Sequence, residues 1–152
     1  MKTSKYIIPF LSAFIATSSL SFAKSEPTGV LHQESCSMFF SNKRWQNRIL
    51  LVRVDGYVEL KELTKYLEYS ALEIIERKLL VLGIDRKTVY PLSNSLSCLP
   101  PVAGVQRRLN SNKAVLIGLD GGTKEQYDVI DPVRIFSDID SMPMRRRERW
   151  QN

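Results

Sequence analysis

Two short runs of branched apolar residues, Arg48–Val54 and Lys78–Ile84, flank a segment whose apolar positions return every three or four residues. That succession limits the fold more than anything else in the chain. Each run is apolar almost without interruption (Ile49, Leu50, Leu51, Val52 and Val54; Leu79, Leu80, Val81, Leu82 and Ile84), the pattern of a strand buried on both faces. Between them, Leu60, Leu63, Leu67, Ala71, Ile74 and Ile75 predict one helix over Glu59–Arg77, with Lys61, Glu62, Lys65, Glu68 and Glu73 mostly on its far side. A strand, helix and strand in this order form a right-handed crossover between parallel neighbours, so the chain is expected to be an α/β domain.

Downstream the pattern weakens from Asp85 to Asn112, where Pro91, Pro100 and Pro101 mark loop and Pro101 opens a short helix that Asn110 stops. Ala114–Leu119 reads as a third strand, Asp120-Gly121-Gly122 as a tight turn, and Glu125–Ile130 as a fourth strand antiparallel to the third. Asp131 caps, and Pro132 begins, a helix to about Ser141 with Val133, Ile135, Phe136 and Ile139 facing inward. The expected architecture is therefore a central mixed four-stranded sheet flanked by helices, closing in a C-terminal β-hairpin plus helix. That order of elements is the order of a thioredoxin-like domain.

Met1–Ala23 has Lys2 and Lys5 ahead of an apolar core and ends in Ser21-Phe22-Ala23, the form of a signal peptide cleaved after Ala23. Its apolar run is broken by Pro9 and Ser12, short of the roughly 20 residues that span a bilayer. The mature protein is expected to be secreted or periplasmic, with a loosely held arm over residues 24–39 and one domain with a basic tail over residues 40–152. The only histidine, His32, falls in the arm. The formal charge of +6 includes Lys2 and Lys5, which leaves about +4 on the mature chain, about +3 of it in Arg145–Arg149. A body so nearly neutral does not present the basic face that nucleic acid requires.

Cys36 and Cys98 make an even count, and in an oxidising compartment a disulfide is the default. Closing a loop of about 60 residues stabilises a fold by roughly 4 kcal/mol in the chain-entropy model. Sequence spacing does not by itself bring the two together.

Four segments carry a further likeness: Trp45-Gln46-Asn47-Arg48-Ile49-Leu50-Leu51-Val52, Glu76-Arg77-Lys78-Leu79-Leu80-Val81, Leu116–Lys124 around the turn, and Ile139-Asp140-Ser141-Met142-Pro143-Met144-Arg145. Together they resemble the equarin-type thioredoxin-like domains known as P-DUDES, domain-of-unknown-function family 4174. These occur in exported bacterial proteins and in vertebrate extracellular-matrix proteins such as equarin. The resemblance spans about Phe40 to Arg149. It implies a thioredoxin-like fold without an established activity, and matrix or cell-surface association in the animal members.

A thiol oxidoreductase of this shape needs a stabilised thiolate at the turn after the first strand. Here that turn is Asp55-Gly56-Tyr57-Val58-Glu59, there is no CxxC, and Asn112-Lys113-Ala114 stands where such enzymes carry a proline. A nucleophile–base pair would have to recruit His32. Asp128, Asp131, Asp138 and Asp140 lack the histidine or cysteine partners of a transition-metal site. No catalytic residue, metal site or cofactor is therefore assigned.

Lys124, Arg145, Arg146, Arg147 and Arg149 remain as candidate anion-binding residues, since guanidinium groups take carboxylate, sulfate and phosphate in two-point contacts. The competing explanation is charge complementing the end of the preceding helix. The expectation is a non-catalytic binding or structural module whose partner is an acidic glycan, an anionic surface or an acidic protein. The alternative is a noncanonical redox protein using Cys36 or Cys98.

Overall fold

The computed structural model describes residues 36–93 and 95–150. The expected signal peptide and most of the expected arm, His32 included, lie outside the described residues. The elements are α1 (Phe39–Lys43), β1 (Arg48–Arg53), α2 (Tyr57–Tyr69), α3 (Ala71–Glu76), β2 (Leu79–Ile84), β3 (Val89–Pro91), α4 (Val102–Leu109), β4 (Ala114–Ile117), β5 (Thr123–Tyr127), α5 (Pro132–Ser141) and α6 (Pro143–Trp150). No helix of the described residues is long and apolar enough to cross a membrane.

The strands form one mixed sheet in the order β3-β2-β1-β4-β5. The two apolar runs are its parallel centre, with Arg48 beside Leu79 and Arg53 beside Ile84. Strand β4 runs antiparallel to β1, and β5 antiparallel to β4. The sheet has five strands where four were expected. The fifth, β3, pairs antiparallel with the end of β2 in a stretch that reads as loop. Three residues are too few for a hydrophobic period, and Pro91 is tolerated because β3 is an edge.

Pleating sends alternate residues of β1 and β2 to opposite faces, which is why both runs are continuously apolar. Leu50, Val52, Val54, Leu79 and Val81 pack under Leu63, Leu67, Ile74, Ile135 and Ile139. Ile49, Leu51, Leu80, Leu82 and Ile84 pack on the other face against Phe39, Val105 and Leu109. Cys36 and Cys98 are bonded, with Cα atoms 5.8 Å apart, and the Cys36 N–H donates to the Leu99 carbonyl at 2.8 Å. This ties the start of the domain to the loop ahead of α4.

The single helix expected over Glu59–Arg77 is two. It starts at Tyr57, and at Ser70 the backbone (φ −99°, ψ 20°) leaves helical values before α3 resumes. Ile74 is buried as expected, but Ile75 is exposed, as is Val133 of α5. The expected stops and caps are present: Asn110 ends α4 at φ 49°, and the Asp131 carboxylate accepts from the Val133 and Arg134 N–H groups. Beyond Ser141 the chain does not trail off as a basic tail. Met142 ends α5 in extended backbone and Pro143 starts α6, a position where its missing N–H costs nothing.

Candidate functional site

Two places could carry chemistry: the cleft where β1 and β2 end, and the opposite end of the sheet, where β1 and β2 begin and the β4–β5 turn lies. Strand ends next to a helix start are where open α/β sheets bind ligands. Here the cleft has a volume of about 450 Å³ and is lined by Val54, Asp55, Gly56, Asp85, Arg86, Lys87 and Thr88. Gly56 turns the chain into α2 at φ 141°, a value that side-chain-bearing residues rarely adopt.

A thioredoxin-type nucleophile would lie at this turn, and in its place stands an ion-paired lysine. Lys113 Nζ lies 2.8 Å from Asp55 Oδ2 and 2.7 Å from Glu59 Oε1. Partial burial disfavours the ammonium, but hydrogen bonds to the two carboxylates outweigh it and push the Lys113 pKa up. The same contact holds the Asp55 carboxyl below its ordinary value. A lysine so held keeps its proton and is no nucleophile at neutral pH. Asp85 is also engaged: hydrogen bonds from the Tyr90 hydroxyl and from the Lys87 and Thr88 N–H groups, each at 2.7 Å, close the β2–β3 connection. The cysteines lie elsewhere and are joined to each other, so no free thiol remains.

At the opposite end, the basic stretch sorts into two sets. Arg145 is 2 % exposed. Its Nη2 lies 2.6 Å from Glu76 Oε1 and its Nε 3.2 Å from Asp140 Oδ1, while Nη1 donates to the Glu76 carbonyl at 2.9 Å. Arg77 completes the cluster, donating to Asp140 Oδ2 at 2.6 Å with its guanidinium 4.8 Å from the Phe136 ring centre. Burial opposes ionisation of Asp140, but the two arginines more than offset it and hold its carboxyl below the usual range.

Glu148, one turn along α6, bridges Arg48 Nη1 at 3.1 Å and Lys78 Nζ at 3.2 Å. Arg48 is fully buried at the head of β1. Thus Arg145 and Glu148, three apart on one helix face, dock α6 onto the turn between α3 and β2. Arg146 and Arg147 point the other way and Arg149, one turn beyond Arg145, lies at the exposed end of the helix; none of the three makes an ion pair or hydrogen bond from its side chain among the described residues.

Lys124 has a local role. Its Nζ lies 2.6 Å from Asp120 Oδ2, and Asp120 Oδ1 accepts from the Gly122 N–H across the turn. The Lys124 charge is therefore met inside the β4–β5 turn. Two tryptophans are exposed at this end. Trp45 is 59 % exposed and sits at φ 66°, held by its N–H donating to the Leu119 carbonyl at 2.6 Å. The Arg44 guanidinium lies 5.3 Å from the centre of the Trp45 ring. Trp150 closes α6, 90 % exposed. The signal for Trp45 was weak, a tryptophan just before a buried strand, and nothing in its neighbours announces positive φ.

No curated protein and no solved structure matches the chain. Residues 39–148 match the family model described as Domain of unknown function (DUF4174). The match begins at the first residue of α1 and takes in every strand together with the docked face of α6, and on that span the chain belongs to this family.

Proposed function

We propose that this is an exported, thioredoxin-like domain of the P-DUDES or equarin type that works without catalysis, binding an acidic polymer at the end of the sheet where β1 begins. The observation that carries it is the sorting of α6: Arg145 and Glu148 anchor the helix, and Arg146, Arg147 and Arg149 are left exposed and unpaired beside Trp150. Arg44 and Trp45 extend the same end through the neighbourhood of Arg48. Tryptophan faces stack on sugar rings while arginines pair with carboxylate or sulfate, so an acidic glycan is the partner class that suits both.

The fold assignment is supported by the arrangement β2-β1-β4-β5, with β1 and β2 parallel, β4 and β5 antiparallel, and a helix after the hairpin. Export is supported by the Met1–Ala23 pattern and by a disulfide, which oxidising compartments favour. A non-catalytic role is supported by the Lys113–Asp55–Glu59 ion pairs at the β1–α2 turn and by the absence of a free thiol.

Retention of the protein on an immobilised sulfated polysaccharide tests this function. Binding at physiological ionic strength that is released by added salt is expected. Passage with the void volume at low salt would overturn it.

A further inference from the structure

Among the described residues, the buried side-chain polar atoms without a hydrogen-bond partner are Arg48 Nε, Arg48 Nη2 and Arg77 Nε. All three belong to two adjoining arginines. Arg48 donates through Nη1 alone, to the Arg77 carbonyl at 2.9 Å and to Glu148 Oε2 at 3.1 Å. Its Nε and Nη2 lie along one edge of the guanidinium, the edge that takes an oxyanion in two parallel hydrogen bonds. A fully buried charge with two of its three nitrogens idle is costly to keep, and a group in that state calls for a functional reason.

Lys78 brings a second cation to the same place. Its ammonium lies 3.2 Å from Glu148 Oε1, and its side chain is 53 % exposed, so the place borders solvent. Lys78 sits at φ 49° just past the end of α3, where glycine or asparagine is the usual residue. A lysine there carries backbone strain that those residues avoid. Glu148 is thus shared between two cations, with one oxygen on Arg48 and the other on Lys78. Both of its oxygens are used, and one edge of Arg48 is still unserved. A tetrahedral oxyanion has a further terminal oxygen: two for the free edge of Arg48 and one for Lys78.

We propose that Arg48 and Lys78 form a binding site for the sulfate ester of a sulfated sugar, and that Glu148 is the internal carboxylate that occupies the site until the ester displaces it. Glu148 stands at the rim, 19 % exposed, and its side chain can turn outward while Arg145 keeps α6 docked through Glu76 and Asp140. The inference rests on the reading that the domain binds an acidic polymer, and narrows it to one kind of acidic group at one site.

The test follows the Arg48 Nε–H cross-peak by NMR as sodium sulfate replaces sodium chloride at constant ionic strength. A saturable shift is expected in the wild type. Glu148→Gln, whose amide oxygen can still accept from Arg48 Nη1, should lower the apparent Kd about tenfold. Glu62→Gln, which removes the same charge from the exposed side of α2, should leave the Kd unchanged. In the Glu148→Gln background, Lys78→Asn should raise the apparent Kd about fivefold, the loss of one partly exposed charge contact, without lowering the urea midpoint. A cross-peak indifferent to sulfate in both the wild type and Glu148→Gln, equal affinities in the two, or an equal gain from Glu62→Gln would overturn the proposal. The polymer reading fails separately: retention on a sulfated polysaccharide through Arg146, Arg147 and Arg149 can persist when the Arg48 cross-peak ignores sulfate, and the reverse.

Discussion

Arg145 of α6 reaches back 69 residues to Glu76, with Nη2 2.6 Å from one carboxylate oxygen and Nη1 2.9 Å from the backbone carbonyl. One guanidinium therefore joins the end of α3 to the last helix. Glu76-Arg77-Lys78 and Asp140 to Arg145, far apart in the sequence, are two sides of one contact. Removing one partner of a buried pair strands the other, and the usual cost is about 3–5 kcal/mol. Because the Glu76 side chain is 60 % exposed and Asp140 keeps Arg77, Arg145→Ala strands neither and is expected to cost less, about 1–3 kcal/mol. Arg146→Ala and Arg147→Ala, which remove exposed and unpaired side chains, should each change stability by less than about 0.5 kcal/mol. Urea unfolding midpoints of the three variants check the contrast.

Acid should loosen the same contact. Asp140 is held ionised by Arg77 and Arg145, so its folded pKa lies below the unfolded value of about 3.9. A carboxylate with a depressed pKa contributes stability that is fully present above the unfolded value and is lost as pH falls through the folded one. Stability is expected to drop below about pH 4. Asp140→Asn should be less stable than the wild type at pH 7 and show a shallower fall with acid. Equilibrium unfolding at a series of pH values gives both numbers, and parallel curves would remove Asp140 from this account.

Reducing the Cys36–Cys98 bond should cost stability without creating an activity. The bridge spans 62 residues, for which the chain-entropy model gives about 4 kcal/mol. Comparing the wild type with the double variant Cys36→Ser, Cys98→Ser in urea measures it. Thiol titration of the native protein should find none free, and an insulin-reduction assay should show no turnover. A rapidly alkylated thiol would instead revive the redox alternative.

Trp45 offers a separation of stability from binding. A side-chain-bearing residue in left-handed backbone costs on the order of 1 kcal/mol, and asparagine tolerates that region better. Trp45→Asn is therefore expected to leave the unfolding midpoint unchanged or raise it, while weakening retention on a sulfated polysaccharide. Loss of stability would mean that the ring is held for packing instead.

The parts legible in the sequence are those set by local periodicity and turn chemistry. The runs at Ile49–Val54 and Leu79–Ile84 could hardly be anything but central strands, and Asp131-Pro132 and Asn110 announce a helix start and a helix stop. What escaped depends on partners distant in the chain. Strand β3 exists because β2 offers it an edge, not because Val89-Tyr90-Pro91 has a pattern. Arg145 looks like any member of a basic run until Glu76 is placed beside it, and Glu148 looks like a charge diluent until Arg48 and Lys78 flank it. Lys124 seemed free of structural duty in the sequence, yet Asp120, four residues earlier, accepts its ammonium across the turn.

The central claim is that α6 is anchored by one face so that the other can bind an acidic polymer. It is tested most directly by the salt concentration at which the protein leaves a sulfated-polysaccharide column, measured for the wild type and for the triple variant Arg146→Ala, Arg147→Ala, Arg149→Ala. The triple variant is expected to elute at low salt or fail to bind, with the same urea midpoint as the wild type. Elution of both at the same salt concentration would contradict the claim.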